Sequence, residues 1–249
     1  MIDVAHVSYT IGSVPLLRDV SLQVQSGEFV GILGPNGSGK STLLKTIYKV
    51  LRPSDGEILV NGQSVLSMSN RELARKVAVV AQESEAAFDY TVQEVVLMAR
   101  YPSKKLTDAY GPDDLRIVAE ALDTVGLSHL ASRGYLSLSG GEKQRVQVAR
   151  AFAQQTPAMI LDEPTNHLDI GSQIKTLQLL KASGKTILAA LHDLSIAARF
   201  CDRIYLLHHG TVVDSGLPDQ VLTGERIRQL YDIDAEPFQY KGQLYVRFL

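Results

Sequence analysis

The sequence predicts an α/β protein organised around one glycine-rich loop. Three observations carry this. The stretch Gly34-Pro35-Asn36-Gly37-Ser38-Gly39-Lys40-Ser41-Thr42 fits GxxxxGK[ST], and it lies between an apolar run, Phe29 to Leu33, and a helical pattern with apolar Leu43, Leu44, Ile47, Val50 and Leu51. Three further apolar runs have the length of buried strands and end on polar residues: Val77 to Ala81 at Gln82, Ala158 to Leu161 at Asp162-Glu163, and Thr186 to Leu191 at His192-Asp193. Helical periodicity appears between the runs, at Val92, Val95, Val96 and Ala99 and again at Leu115, Val118, Ala119, Leu122 and Val125. Strands that alternate with helices and present polar side chains at their ends build a sheet with a ligand crevice at that end.

The loop between strand and helix is a phosphate cradle. Its glycines let successive backbone N–H groups turn inward as an anion-binding nest, and the helix starting near Lys40 adds its positive dipole end. Lys40 would reach the β- and γ-phosphates of a nucleotide, and the Ser41 hydroxyl would ligate Mg²⁺. An ordinary glycine-rich turn needs neither the strand before it nor the helix after it.

Composition narrows the class. The 249 residues are 45% hydrophobic and 21% charged, which describes a globular chain able to bury a substantial core. Lys+Arg 25 against Asp+Glu 27 gives a net charge of -2, so no whole-chain basic field draws nucleic acid or anionic lipid, and no nucleic-acid partner is expected. The single cysteine, Cys201, cannot form an internal disulfide and is expected to be a small buried apolar residue. The N-terminal residues lack the pattern of a signal peptide, and no run approaches the roughly 18 apolar residues that span a bilayer. A cytoplasmic protein is expected, with any membrane association made through a partner.

Taken in order, residues 2–33 read as β structure, with Val4, Val7 and Tyr9, then Val20, Leu22 and Val24, alternating against polar neighbours. Tyr9 lies upstream of the loop near a strand end, where its face could stack on a purine base. Arg52-Pro53-Ser54-Asp55-Gly56 breaks the first helix, Glu57 to Val60 is a strand leading into the Asn61-Gly62 turn, and Arg71 to Arg75 is a short helical turn. Gln82, at a buried strand's end, is placed to reach a metal or an attacking water. Residues 83–150 read as a largely helical insertion.

Leu138-Ser139-Gly140-Gly141-Glu142 opens a helix through about Ala153, with capping-box spacing between Ser139 and Glu142. Glycine is costly in a first helical turn, so two in a row point to something approaching bare backbone, and the helix N–H groups with a serine hydroxyl suit a second phosphate contact. Asp162 and Glu163 end an apolar strand before Pro164; one carboxylate would hold Mg²⁺ and the next would orient or deprotonate an attacking water. His192 occupies the same strand-end position as Gln82 and Asp162. Ile204 to Val213 reads as a hairpin turning at His208-His209-Gly210, and the tail, helical to Tyr231 and then strand-like, carries no recognisable chemistry.

These pieces, in this order and across nearly the whole chain, closely resemble the ATP-binding subunits of ABC transporters: Tyr9, Gly34 to Thr42, Gln82, Leu138 to Glu142, Met159 to Glu163, Leu168-Asp169 and His192. The resemblance implies one ABC-type ATP-binding domain over residues 1–249, with a RecA-like phosphate-loop core, a small antiparallel β subdomain, a helical subdomain at about 83–150 and a C-terminal tail at about 223–249. It implies that Tyr9 stacks on adenine, that Lys40 and the loop amides hold the phosphates, and that Ser41, Gln82 and Asp162 organise Mg²⁺. Glu163 then activates water and His192 contacts the γ-phosphate. Ser139-Gly140-Gly141 closes over the ATP of a second copy paired head to tail, with Asp169 at that junction.

Within the family, Ala99-Arg100-Tyr101-Pro102, Asp162 to Asp169, Leu191-His192-Asp193-Leu194 and Arg199 to Arg203 are most similar to importers of siderophore-iron, haem and cobalamin. The implied protein is an ATPase on the cytoplasmic face of the cell membrane, held there by an integral-membrane permease that docks near the residues after Gln82, and working indirectly with a substrate-binding protein. The alternative is a soluble ABC-type ATPase uncoupled from transport. Ribosome-associated members usually carry two modules and DNA-repair members a long coiled coil, whereas this chain has one module and no heptad run.

Overall fold

The computed structural model describes residues 1–81, 90–105 and 107–249. It divides into two compact units, one made of Met1–Met68 with Gly184–Leu249, the other of Ser69–Ser183.

The first unit opens with strands β1 (Ile2–Ile11) and β2 (Val14–Val24), an antiparallel pair joined at Gly12. Val4, Val7, Val20, Leu22 and Val24 are buried while their neighbours face out, the period of a half-covered sheet. Strand β3 (Phe29–Leu33) is buried at every position, and helix α1 (Lys40–Ile47) follows the glycine loop and buries Leu43, Leu44 and Ile47. Strand β4 (Asp55–Val60) pairs antiparallel with β1, and Asn61 (φ 52) and Gly62 (φ 74) turn it into the two-residue β5 (Gln63–Ser64). Two successive positive φ angles are what a tight hairpin turn requires. The antiparallel sheet therefore runs β2-β1-β4-β5.

The second unit begins with α2 (Asn70–Ala74), whose N-terminus is closed by the reciprocal Ser69–Glu72 capping box, and β6 (Val77–Val80). Thr91 and Glu94 cap α3 (Val92–Leu97) in the same way, and a 3₁₀ segment, Met98–Ser103, continues from it. Then come α4 (Pro112–Thr124), with proline at its first turn, and α5 (Gly140–Ala153), β7 (Ala158–Asp162) and α6 (Ile170–Ala182). Helices α3, α4 and α5 pack on one another, and β6 runs parallel to β7. A buried charge cluster ties the helices together. Arg100 donates to the Ala153 carbonyl at 2.8 Å and to Asp114 at 3.2 Å, while Lys104 reaches the same carboxylate.

The chain re-enters the first unit with β8 (Thr186–Ala190), α7 (Leu194–Phe200), β9 (Arg203–His208) and β10 (Thr211–Gly216). β8 and β9 flank β3 in parallel and β10 runs antiparallel to β9. Gly31 in β3 is required by close packing, since a Cβ there would lie 2.6 Å from the sulfur of Cys201, which is buried as expected. Helices α8 (Pro218–Val221) and α9 (Gly224–Tyr231) and the hairpin β11 (Ala235–Tyr240) and β12 (Gln243–Phe248) complete the unit, with β12 packed on α7.

Candidate nucleotide site

In the first unit the loop between β3 and α1 folds into a closed turn. Gly34, Gly37 and Gly39 take φ values of 154, 77 and 108, the region side chains avoid. Gly34 is also sterically obligatory, because a Cβ would sit 2.0 Å from the Leu207 carbonyl oxygen. Lys40 is 5% exposed, and its ammonium donates to the carbonyls of Gly34 at 2.7 Å and Pro35 at 3.1 Å. The cation is thus held across the mouth of its own loop, where an anion seated on the loop amides would meet it. Asn36 and Gly37 form the exposed tip, Ser38 is buried beneath, and Ser41 and Thr42 are half-buried in the first turn of α1.

The loop is backed by its own unit. The Gly210 amide donates to the Ser38 carbonyl at 2.9 Å while the Gly210 carbonyl accepts from Arg18 at 2.8 Å, so the β9–β10 turn clips the loop to β2. Gly210, at φ 78, would place a Cβ 2.4 Å from the Leu16 carbonyl. The turn at His208-His209-Gly210 is therefore a support for the phosphate loop. Tyr9 of β1 pairs with Leu17 of β2 and is half-buried, and His192 is exposed just after β8. The next residue, Asp193, caps α7 by accepting from the amides of Ser195 at 2.7 Å and Ile196 at 3.0 Å, which fixes the chain on which His192 stands.

In the second unit β7 ends on two carboxylates in different surroundings. Asp162 is 2% exposed, whereas Glu163 is half-buried and takes φ 54, a conformation that non-glycine residues seldom adopt. The side-chain amide of Asn166 donates to the Glu163 carboxylate, and the Asn166 backbone N–H donates to the Glu163 carbonyl at 3.2 Å. Asn166 went unassigned in the sequence, although three residues is the spacing at which a tight turn brings a side chain back onto its start.

Ser139 caps α5. Its hydroxyl accepts from the Glu142 amide at 3.3 Å, and the Glu142 carboxylate accepts from the Ser139 amide and hydroxyl, both at 2.8 Å. These bonds, with Arg133 and Arg145 nearby, hold the Glu142 carboxyl below its usual pKa. The bare backbone at Gly140 and Gly141 has a local reason too: a Cβ on Gly140 would come 3.3 Å from His167 Cβ, and one on Gly141 would come 3.3 Å from the His167 carbonyl. His167 itself has φ 62. Asp169 caps α6, accepting from the Ser172 amide at 3.0 Å and hydroxyl at 2.7 Å, which lowers its pKa. The turn Ser139–Glu142 and His167–Asp169 together line a hollow of about 520 Å³, with Arg145 and Ser172 in its wall. Gln82 and the first residues of the expected permease dock lie outside the described residues.

A strand, a closed glycine loop and a helix whose first residue is a buried lysine define the class of phosphate-loop nucleotide-binding proteins. The sequence profile of the ABC transporter family matches residues 17–166, and the chain belongs to that family. It is 40% identical over 245 residues to a hemin import ATP-binding protein, HmuV, of Shewanella denitrificans, covering 95% of each chain. It is 39% identical over 236 residues to a cobalamin import ATP-binding protein, BtuD, of Halobacterium salinarum, covering 93% of this chain but only 58% of that one, so it spans little more than half that relative's length. Among solved structures, a metal-chelate type ABC transporter in an inward-facing conformation superposes with a TM-score of 0.84 at 27% identity, covering 100% of this chain and 96% of the other.

Proposed function

We propose that this chain is the ATP-hydrolysing subunit of an importer that drives a metal chelate, siderophore-iron, haem or cobalamin, through a separate membrane permease. The observation that carries the reading is the closed glycine loop with the Lys40 ammonium held across its mouth by the Gly34 and Pro35 carbonyls. Relatives that span nearly the same length as this chain act in hemin import, which supports the cargo class.

The site residues suit MgATP. The Ser41 hydroxyl and Asp162 carboxylate are hard oxygen donors of the kind Mg²⁺ takes. Among the described residues no cluster of three or more His, Cys, Asp or Glu is arranged to hold an ion. A bound Mg²⁺ would supply charge neutralisation on the phosphate oxygens. The loop amides and Lys40 then bind and orient the β- and γ-phosphates, and Tyr9 offers a ring face to the base. Glu163, kept turned out of its strand by φ 54 and by Asn166, accepts the proton of the attacking water, His192 contacts the γ-phosphate, and Gln82 serves Mg²⁺ or the attacking water. Ser139 and the amides that open α5 close on the phosphates of a second copy's ATP, with Asp169 at the junction. The permease holds the pair at the inner face of the membrane, and a substrate-binding protein delivers the cargo from the other side. Among the described residues no helix is long and apolar enough to cross a membrane.

ATP turnover by the purified chain, alone and with its permease in detergent, tests this. Turnover that rises with the permease and disappears in Glu163→Gln is expected. Wild-type turnover indifferent to the permease would favour a soluble ABC-type ATPase instead, and no turnover in either setting would overturn the ATPase reading.

A further inference from the structure

Beside the turn that opens α5 lies a second hollow in the same unit. It measures about 540 Å³, a size that takes a small organic ligand, and its wall is made by the end of α4, Arg145 of α5 and one side of α6. Arg145 and Ser172 line both this α4–α6 hollow and the one at Ser139–Glu142, so the two spaces share a wall. Ser172 is committed, since its amide and hydroxyl both donate to Asp169. Arg145 is not held in that way: its Nε is buried and closes no hydrogen bond.

The lining of the α4–α6 hollow defines what would fit it. Val125, buried, and Leu179, half-buried, give it an apolar side. Its charged groups are Arg145, Lys175 and Asp123, two cations against one carboxylate, and Asp123 accepts from the Ser128 hydroxyl at 3.3 Å. Bare carbonyls at the end of α4 would oppose an anion, but that end closes on itself. The Leu127 amide donates to the Leu122 carbonyl at 2.8 Å and the Gly126 amide to the Asp123 carbonyl at 2.9 Å, with Gly126 at φ 71. A buried guanidinium nitrogen without a partner, a second cation and an apolar wall suit a carboxylate, sulfonate or phosphate carried on an apolar body.

In the Ser139–Glu142 hollow Arg145 has a different task. Two carboxylates, Glu142 and Asp169, line that space, and Arg145 is the one lysine or arginine among the described residues of its lining. Its charge helps to hold the Glu142 carboxyl below its usual pKa. With the guanidinium turned away, a phosphate entering there would meet a negative lining.

We infer that the α4–α6 hollow binds a small amphiphilic anion, which competes with the ATP phosphates of the second copy for the single guanidinium of Arg145. Filling one hollow then weakens pairing at the other. The competition rests on the head-to-tail pairing proposed above, whereas the binding site does not.

The probe is anilinonaphthalene sulfonate, a sulfonate on an apolar ring system, titrated by fluorescence against the chain saturated with MgADP so that the glycine loop is filled. One probe per chain is expected, bound about tenfold more weakly by Lys175→Glu and by Ala182→Trp, the latter filling the edge of the hollow. Both residues are exposed, and unchanged melting temperatures check that the variants stay folded. Binding that is absent, or equal in wild type and both variants, would overturn the site. The competition is read by sedimentation of Glu163→Gln with MgATP, where saturating probe should weaken dimerisation about fivefold or more. Adding Ala182→Trp to that chain should remove the effect. A dimer of equal strength with and without probe, or an equal loss when Ala182→Trp is present, would overturn the competition. A Glu163→Gln chain that never dimerises, probe or none, would overturn head-to-tail pairing and the competition with it, and the titration would still decide the site.

Discussion

Asp162 and Glu163 are neighbours in sequence but not in environment. Asp162 continues the buried strand, and the left-handed turn at Glu163 breaks the alternation and frees the second carboxylate for Asn166. A group that only takes a proton in the transition state can be neutralised without loss of ground-state binding. Glu163→Gln should therefore lower kcat by about 10²- to 10³-fold while MgATP affinity changes less than about threefold, measured by turnover and by nucleotide titration. Asp114 shows the opposite use of a carboxylate. Burial pushes its pKa up, but Lys104, the Gly111 amide and Arg100 outweigh it and hold the group at about 2. An unfolded aspartate titrates near about 3.9, so the folded chain keeps this stabilisation above that pH and loses it as pH falls from about 4 to about 2. Asp114→Asn should cost about 2 to 3 kcal/mol in urea unfolding at neutral pH and flatten the pH dependence in that acid window.

At the scale of elements, α5 combines a structural start with a proposed contact surface. Ser139 is its N-cap, and the capping bonds are the ones a second copy's phosphates would compete with. Ser139→Ala should cost about 1 kcal/mol of stability, whereas Ser139→Asp keeps the cap and restores most of it. Turnover should fall in both, because the aspartate sets a negative charge against phosphate; recovery of turnover in Ser139→Asp would reduce Ser139 to a cap alone. The element pattern was readable because it is local: strand, glycine loop and helix lie within one short stretch, and the capping box at Ser139 joins residues three apart, as do the boxes at Ser69 and Thr91 that the sequence reading passed over. What approaches the bare backbone of Gly140 was not readable as His167, since that contact joins residues far apart in sequence. The same holds for Gly210 against Ser38.

At the scale of the whole molecule, the proposed site draws on two helix starts, α1 after the glycine loop and α5 behind Ser139. If both serve one ATP within one chain, a copy lacking either start is dead and no mixture revives it. If copies pair head to tail, each ATP takes α1 from one copy and α5 from the other. A Lys40→Ala copy then still offers an intact α5, and a Ser139→Arg copy still offers an intact glycine loop. Each variant alone should show almost no turnover, and mixing them should restore it, since every mixed pair contains one site made of two intact halves. The same pairing predicts that Glu163→Gln sediments as a dimer with MgATP and as a monomer with MgADP, because the γ-phosphate bridges the copies and its removal releases them. Mixed variants that stay inactive while each still binds MgATP or folds as wild type would place the whole site in a single chain, and the dimer would then have no part in hydrolysis.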